Sequence, residues 1–355
     1  LLISCEEHCV GDKDHSICGE LNKESGVTAF LSIQYGEAER FKHSDVKSLI
    51  NGVTTATQSN SITCHQPDPK GYTFENTPQM NENCLFLNIW TKFNETDSKP
   101  VFFWIHGGSL INGGNSETRL NGERIAKEQN VVVVNINYRL GIFGFLSSSE
   151  LLKSERRLNF GLADQQTALF WVYKYISLFG GDPSKVTIAG ESAGASSVVY
   201  HLLMPHSQGL FHKAIIQSPA FLAEVQSLEM ADKQFQNVLS NLSCSDIQCI
   251  KMKSPKQLLA AQQHALATVM TTIDGELLPS HPYLMLRDMP TAPVPLIVGK
   301  TRDEGTVFVY PNYADKLSED MYRLYLTSYL PAMALDDMMK VYPCAADGDC
   351  RAALA

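Results

Sequence analysis

Lys185-Val186-Thr187-Ile188-Ala189-Gly190-Glu191-Ser192-Ala193-Gly194 is the stretch that decides how this 355-residue chain is read. The apolar run from Lys185 to Ala189 reads as a buried strand that delivers Ser192 into a turn with glycine two places to either side. Small residues follow (Ala195, Ser196 and Ser197), opening a stretch of helical character. Strand, sharp turn and helix in this order expose a serine hydroxyl at the end of a sheet. The flanking glycines are needed because a side chain there would clash with the neighbouring strand or helix. Ser192 is therefore the candidate nucleophile, and the N–H of Ala193 a candidate oxyanion donor. Glycine, serine and glycine at this spacing is a weak signal alone, so its surroundings decide its weight.

Upstream, Val101-Phe102-Phe103-Trp104-Ile105 reads as another buried strand, running into His106-Gly107-Gly108-Ser109. A glycine-rich turn lets backbone N–H groups point outward together, where they can hold the oxyanion formed when serine attacks an ester carbonyl. Downstream, Pro295-Leu296-Ile297-Val298-Gly299 reads as a core strand ending in Lys300-Thr301-Arg302-Asp303-Glu304-Gly305. Strand-like runs, Val131 to Val134 and Ile215 to Ser218 among them, alternate with helix-length stretches. That alternation predicts the α/β class, with a mostly parallel central sheet and helices on both faces. With 44% hydrophobic residues there is ample core, and no apolar run reaches the ~18 residues of a membrane span. A formal charge of −9 without a lysine or arginine block argues against a nucleic-acid partner, whose phosphates demand a basic face.

Further segments place the chain beside a known family: Asn83-Cys84-Leu85-Phe86-Leu87-Asn88-Ile89-Trp90, Asn137-Tyr138-Arg139-Leu140-Gly141, Asn159-Phe160-Gly161-Leu162-Ala163-Asp164-Gln165, Phe179-Gly180-Gly181-Asp182-Pro183 and Gly209-Leu210-Phe211. With the serine turn, they resemble the type B carboxylesterases, the cholinesterase-like branch of the α/β-hydrolases. The resemblance runs from about Gly26 to beyond Gly305. It implies an α/β-hydrolase fold and a serine carboxylic-ester hydrolase. The oxyanion hole then falls on the backbone of Gly108, Ser109 and Ala193, with Glu191 and His106 in supporting roles. Many members carry glycine where this chain has Ser109. An N–H donor survives that change, but the side chain narrows the space beside the acyl carbonyl. The family's acid is the glutamate of the Asp-Glu-Gly turn, which maps to Glu304, and serine before acid is the α/β-hydrolase order.

A serine hydroxyl is a poor nucleophile until a histidine takes its proton and a carboxylate orients that histidine. In the family the base follows the next strand after the acid, yet no histidine follows His281 here. The C-terminal strand and histidine loop are therefore expected on polypeptide beyond this chain, carried by a companion C-terminal segment. His106 reads as a brace of the oxyanion turn and His201 as part of the scaffold. No metal or cofactor is expected. The domain division expected is a cysteine-rich N-terminal extension over 1–25 and an α/β-hydrolase domain over 26–355, incomplete at its C-terminus. Irregular helical stretches from about 221 to 290 and over 315–341 are expected to form the lid and the substrate pockets.

The chain carries nine cysteines. The family resemblance implies disulfides between Cys64 and Cys84 and between Cys244 and Cys249, and Cys344 with Cys350 is read as a third. Of Cys5, Cys9 and Cys18, at least one must then be free or bonded outside the chain. Such bonds imply an oxidising, secreted or extracytoplasmic setting, with which the glycosylation sequons at Asn94 and Asn241 are compatible. The cholinesterases bind a quaternary ammonium on a tryptophan within the loop matching Cys64 to Cys84. Here that loop holds Tyr72 and Phe74 instead, so the small-molecule substrate expected is a neutral short or medium acyl ester. The alternative is a non-catalytic binding or adhesion relative, which retention of Ser192, its glycines and Glu304 argues against.

Overall fold

The computed structural model describes the chain apart from residues 1–5, 12–14, 50–51, 57–61, 68–73, 75–78, 94–97, 221–224, 265–269, 289–290 and 328–331. Cys5, Tyr72 and the Asn94 sequon fall outside the described residues. The described part separates into two compact units, Leu1–Val298 and Gly299–Ala355.

The first unit is organised by one sheet. Its strands are β1 (Glu6–Gly11), β2 (His15–Asn22), β3 (Val27–Gln34), β4 (Phe86–Thr91), β5 (Lys99–Ile105), β6 (Val132–Ile136), β7 (Gly181–Glu191), β8 (Lys213–Gln217) and β9 (Leu296–Gly299). They lie in the order β1-β2-β3-β4-β6-β5-β7-β8-β9, with Gly52–Thr55 added alongside β2. The sheet is mixed. From β1 through β3 and β4 to β6 the pairing is antiparallel. From β6 through β5 and β7 to β8 it is parallel. The division follows the connections: a four-residue turn joins β2 to β3 and allows only an antiparallel return, whereas the later strands are joined by crossovers. The first of these passes through helix α1 (Glu123–Gln129) and the second through α2 (Phe160–Tyr175).

Glu6–Gly11 and His15–Asn22, within the stretch read as a cysteine-rich extension, form the first two strands of the sheet. Cys9 and Cys18 are opposed in the β1–β2 register, with Cα atoms 3.9 Å apart, and are disulfide-bonded. The bonds Cys64–Cys84, Cys244–Cys249 and Cys344–Cys350 are also formed.

The buried core is densest around the parallel strands, where Phe103, Ile105, Val134, Ile136, Val186 and Ile188 are all covered. Helix α3 (Ala193–Leu203) is buried along all eleven of its residues, as expected of a helix without a polar face. Its first turn is built of small residues because a side chain on Gly194 would collide with the carbonyl oxygen of Ile105. The last strand departs from expectation. Leu296, Ile297 and Val298 form β9, but they are 50%, 66% and 62% exposed. An apolar β-branched run specifies extended backbone, whereas burial depends on what packs over it, and an edge strand has a partner on one side only.

The 221–290 region contributes helices Leu228–Leu242, Ile247–Lys251, Pro255–His264 and Pro282–Asp288. The exposed Asn241 sequon lies at the end of the first. The second unit, Gly299–Ala355, contains helices Thr306–Asn312, Glu319–Thr327 and Ala332–Val341, the last two contributing Tyr322, Leu326 and Met339 to a small core with Leu317 and Cys350.

Candidate active site

The sheet topology creates the site. The chain leaves β5 toward β6 on one side and later returns as β7 on the other, so β5 and β7 are adjacent strands whose following loops part at their carboxyl ends. Such a switch point opens a crevice in α/β sheets. The register pairs Ile105 with Gly190, so the turns that begin at His106 and Glu191 emerge side by side.

Ser192 sits between β7 and α3 with φ 56° and ψ −125°, a conformation that side-chain-bearing residues rarely adopt. The strain is imposed by its neighbours. The Ser192 N–H donates to the carbonyl of Gln217 at 3.0 Å, and the Ser192 carbonyl accepts from the N–H of Ser196 at 2.9 Å. Gly190 lies so close to the start of α3 that a Cβ there would meet the Gly194 oxygen at 2.5 Å. Ser192 and Glu191 are half-buried, while Ala193 is buried.

The turn after β5 closes over this elbow. A side chain on Gly107 would approach the Glu191 carbonyl oxygen to 2.6 Å and the Ser192 Cβ to 3.1 Å, so a glycine lets the two turns touch. Gly108, Ser109 and Leu110 follow with φ of 110°, 54° and 60°. Gly108 is half-buried and the Ser109 side chain is exposed. The carbonyl of Gly108 accepts from the N–H groups of Ile111 and Asn112 at 2.9 and 3.0 Å. That leaves a compact loop with three successive residues of positive φ.

His106 is buried behind this loop. Its Nδ1 lies 2.8 Å from the carbonyl oxygen of Gly107, which can only accept, so Nδ1 carries the proton. The ring stacks on Tyr138 at 4.4 Å, and the Tyr138 hydroxyl donates to the His106 carbonyl at 2.9 Å. Burial, above all, holds the imidazole pKa below its ordinary value. His106 is thus a neutral brace, committed to the turn that follows it.

His201 is committed more completely. Gln165 Nε2 donates to Ser197 Oγ, which orients the amide so that its Oε1 accepts from His201 Nε2 at 3.1 Å. His201 Nδ1 then accepts from the Ser207 hydroxyl at 2.9 Å. Burial pushes the imidazole down to about 3, so it is neutral in the folded protein. In the unfolded chain it titrates near 6.5. Because only the unfolded state takes up this proton, stability is full above about pH 6.5 and declines as the pH falls toward 3. Replacing His201 by glutamine should flatten that decline by about 1.4 kcal/mol per pH unit, read from denaturant midpoints at neutral and mildly acidic pH. An unchanged slope would mean that the ring is solvated.

Glu304 lies in the second unit. It is half-buried, and its Oε1 accepts from the N–H of Thr301 at 2.6 Å within its own turn. That bond helps to hold the carboxylate within its turn.

Several residues around the site went unmarked in the sequence. Gln66, two places after Cys64, is bonded to the backbone of Gly113 in both directions. Asn137 donates through Nδ2 to the carbonyls of Ile62 and Cys84 and accepts at Oδ1 from the N–H of Asn115. Asn137 belonged to a family motif and Gln66 lay inside the disulfide loop, but neither position foretold its bonds.

A family model described as the carboxylesterase family matches residues 16–343. The chain belongs to the carboxylesterase family. It is 33% identical over 336 residues to a para-nitrobenzyl esterase of Bacillus subtilis, covering 90% of this chain and 68% of that protein. It is 37% identical over 301 residues to the mouse (Mus musculus) pyrethroid hydrolase Ces2a, covering 79% and 52% respectively. A mouse cholinesterase is 34% identical over 310 residues, covering 80% and 51%. This carboxylesterase-family chain thus spans about half the length of the two mouse relatives.

Proposed function

We propose that the protein is a serine carboxylic-ester hydrolase that works through an acyl-enzyme on Ser192. The observation that carries this reading is the strained serine at the carboxyl end of β7, with the glycine turn after β5 pressed against it. Strain of this kind costs on the order of 1–3 kcal/mol and persists where a hydroxyl must be presented. In the proposed cycle Ser192 Oγ attacks the ester carbonyl while a histidine removes its proton. The N–H groups of Gly108, Ser109 and Ala193 hold the oxyanion. Collapse releases the alcohol, which takes the proton from the histidine, and water repeats the sequence to release the acid. Glu304 is the proposed orienting carboxylate.

The base is proposed to lie on polypeptide outside residues 1–355, in a companion C-terminal segment. Two facts support this: no histidine follows His281, and His106 and His201 are engaged elsewhere, His106 at the Gly107 carbonyl and His201 with Ser207 and Gln165. Neutral esters of short or medium acids are the proposed substrates, because the Cys64–Cys84 loop lacks a tryptophan for a quaternary ammonium. The helices between 221 and 290 are the proposed lid and pocket walls, and four disulfides support a secreted or luminal setting.

The test is intact mass of the native protein, with and without reductant, after exposure to a fluorophosphonate that reacts with activated serines. A phosphonyl adduct on the Ser192 peptide is the expected result. With the histidine-bearing segment present and no adduct formed, the protein would be a binding relative that has lost the chemistry.

A further inference from the structure

We propose that Gln66 is a positioning residue for ester hydrolysis, coupling the Cys64–Cys84 loop to the oxyanion turn. The proposal rests on the esterase reading above and adds to it a residue remote in sequence from serine, acid and glycine turn.

The contacts form a continuous path. Gln66 is buried, and its Oε1 accepts from the N–H of Gly113 at 2.9 Å. Its Nε2 donates to the carbonyl of Gly113 at 2.9 Å and to that of Cys64 at 3.2 Å. A two-way pair with one residue fixes both the position and the rotation of its flanking peptides, as a rung of a β-ladder does. Gly113 has φ 112° and lies against the His106 ring, where any side chain would overlap Nδ1 and come within 2.9 Å of the Gly107 oxygen. His106 Nδ1 in turn donates to that same Gly107 oxygen. The loop between is closed on itself by the Gly108 carbonyl, so a shift at Gly113 is passed back to Gly108 and Ser109. On the far side, the Cys64–Cys84 bond anchors the segment that carries Gln66. Asn137 ties the ends of the same loop to Asn115, which leaves Gly113 between two fixed points.

Removing the amide would leave the N–H and carbonyl of Gly113 buried without partners, and the peptides on either side would rotate to find new ones. The donors aimed at the oxyanion would then lose their alignment. Since those donors act on charge that develops in the transition state, the loss should appear in kcat rather than in KM.

The experiment compares Gln66→Met, Gln66→Glu and Ser192→Ala with the wild-type full-length enzyme, using a p-nitrophenyl ester and hydrogen exchange of the peptide spanning 106–114. Methionine keeps the volume and removes every bond. Its expected effect is a loss of about 10- to 100-fold in kcat with KM held within about threefold, together with faster exchange in 106–114. Glutamate supplies a diagnostic pH signature. Its carboxylate faces the carbonyls of Gly113 and Cys64, but the protonated acid can again donate to one and accept from the Gly113 N–H. The ratio of Gln66→Glu to wild-type activity should therefore rise as the pH falls. Unchanged kcat in Gln66→Met, a lowered melting temperature alone, or unaltered exchange would overturn the proposal while leaving the esterase reading intact. Ester turnover undiminished in Ser192→Ala would overturn the esterase reading itself, and the catalytic role of Gln66 with it.

Discussion

Ser192→Ala should abolish ester hydrolysis, lowering kcat by about 10⁴- to 10⁶-fold, while the melting temperature stays nearly unchanged. The size of the expected effect follows from the proposed mechanism, in which the variant loses the atom that forms the acyl bond and keeps only the proposed oxyanion donors and binding. The small thermal effect follows from the serine's place. It is half-buried, and its backbone bonds to Gln217 and Ser196 do not involve the hydroxyl. Alanine inherits the same strained φ of 56°, so the strain is not relieved. Glycine is the instructive contrast. Ser192→Gly should be equally inactive yet melt higher, because relief of on the order of 1–3 kcal/mol of strain outweighs the ~0.5–1 kcal/mol entropic cost of glycine. If glycine melts lower than serine, the elbow is not strained as its dihedral angles indicate. Turnover by a p-nitrophenyl ester assay and a melting scan on the three proteins decide both points, and undiminished turnover in the alanine protein would remove Ser192 from the chemistry.

The local geometry of this elbow was legible in sequence because its constraints are short-range. An apolar run, a serine between glycines and a run of small residues each act within a few positions, and β7, Ser192 and α3 follow in that order. What depended on distant contacts was not legible. The cysteines at 9 and 18 sat among polar residues that read as an extension, and only the register of β1 against β2 pairs them. The run Leu296 to Val298 correctly suggested a strand, but its exposure is a property of the sheet edge, not of the run. The mixed sheet was hidden for a similar reason. Alternation of strand and helix speaks for the parallel half, whereas β1 to β4 are joined without helices among the described residues. Gln66 is the extreme case, a polar side chain in a polar loop whose significance lies wholly in reaching Gly113, forty-seven positions away.

Two of the family segments, one carrying Arg139 and the other Asp164, lead to the largest stability effect expected. Asp164 Oδ2 accepts from Arg139 Nε at 2.7 Å and from the Arg139 backbone N–H at 3.1 Å, and Oδ1 accepts from Nη2 at 2.8 Å. The two side chains are 6% and 0% exposed, so neither charge has water to fall back on. Asp164→Asn nearly preserves shape but leaves the guanidinium buried without its counter-charge, and should cost about 3–5 kcal/mol in a urea titration. The damage should reach the site as well. The Arg139 carbonyl is packed so tightly against Gly144 and Gly161 that neither tolerates a side chain, and the N–H of Gly141 donates to the Leu110 carbonyl at 2.7 Å. Movement at Arg139 is thus transmitted to the loop that carries Gly108 and Ser109. Replacing both partners together, Arg139→Met with Asp164→Leu, removes the stranded charge and should cost well under the sum of the two single changes. That non-additivity separates an ion pair from two independent packing contacts. Additive losses, or a shift below about 1 kcal/mol for Asp164→Asn, would show that solvent reaches the pair and that its role in holding the loop of Gly108 and Ser109 is small.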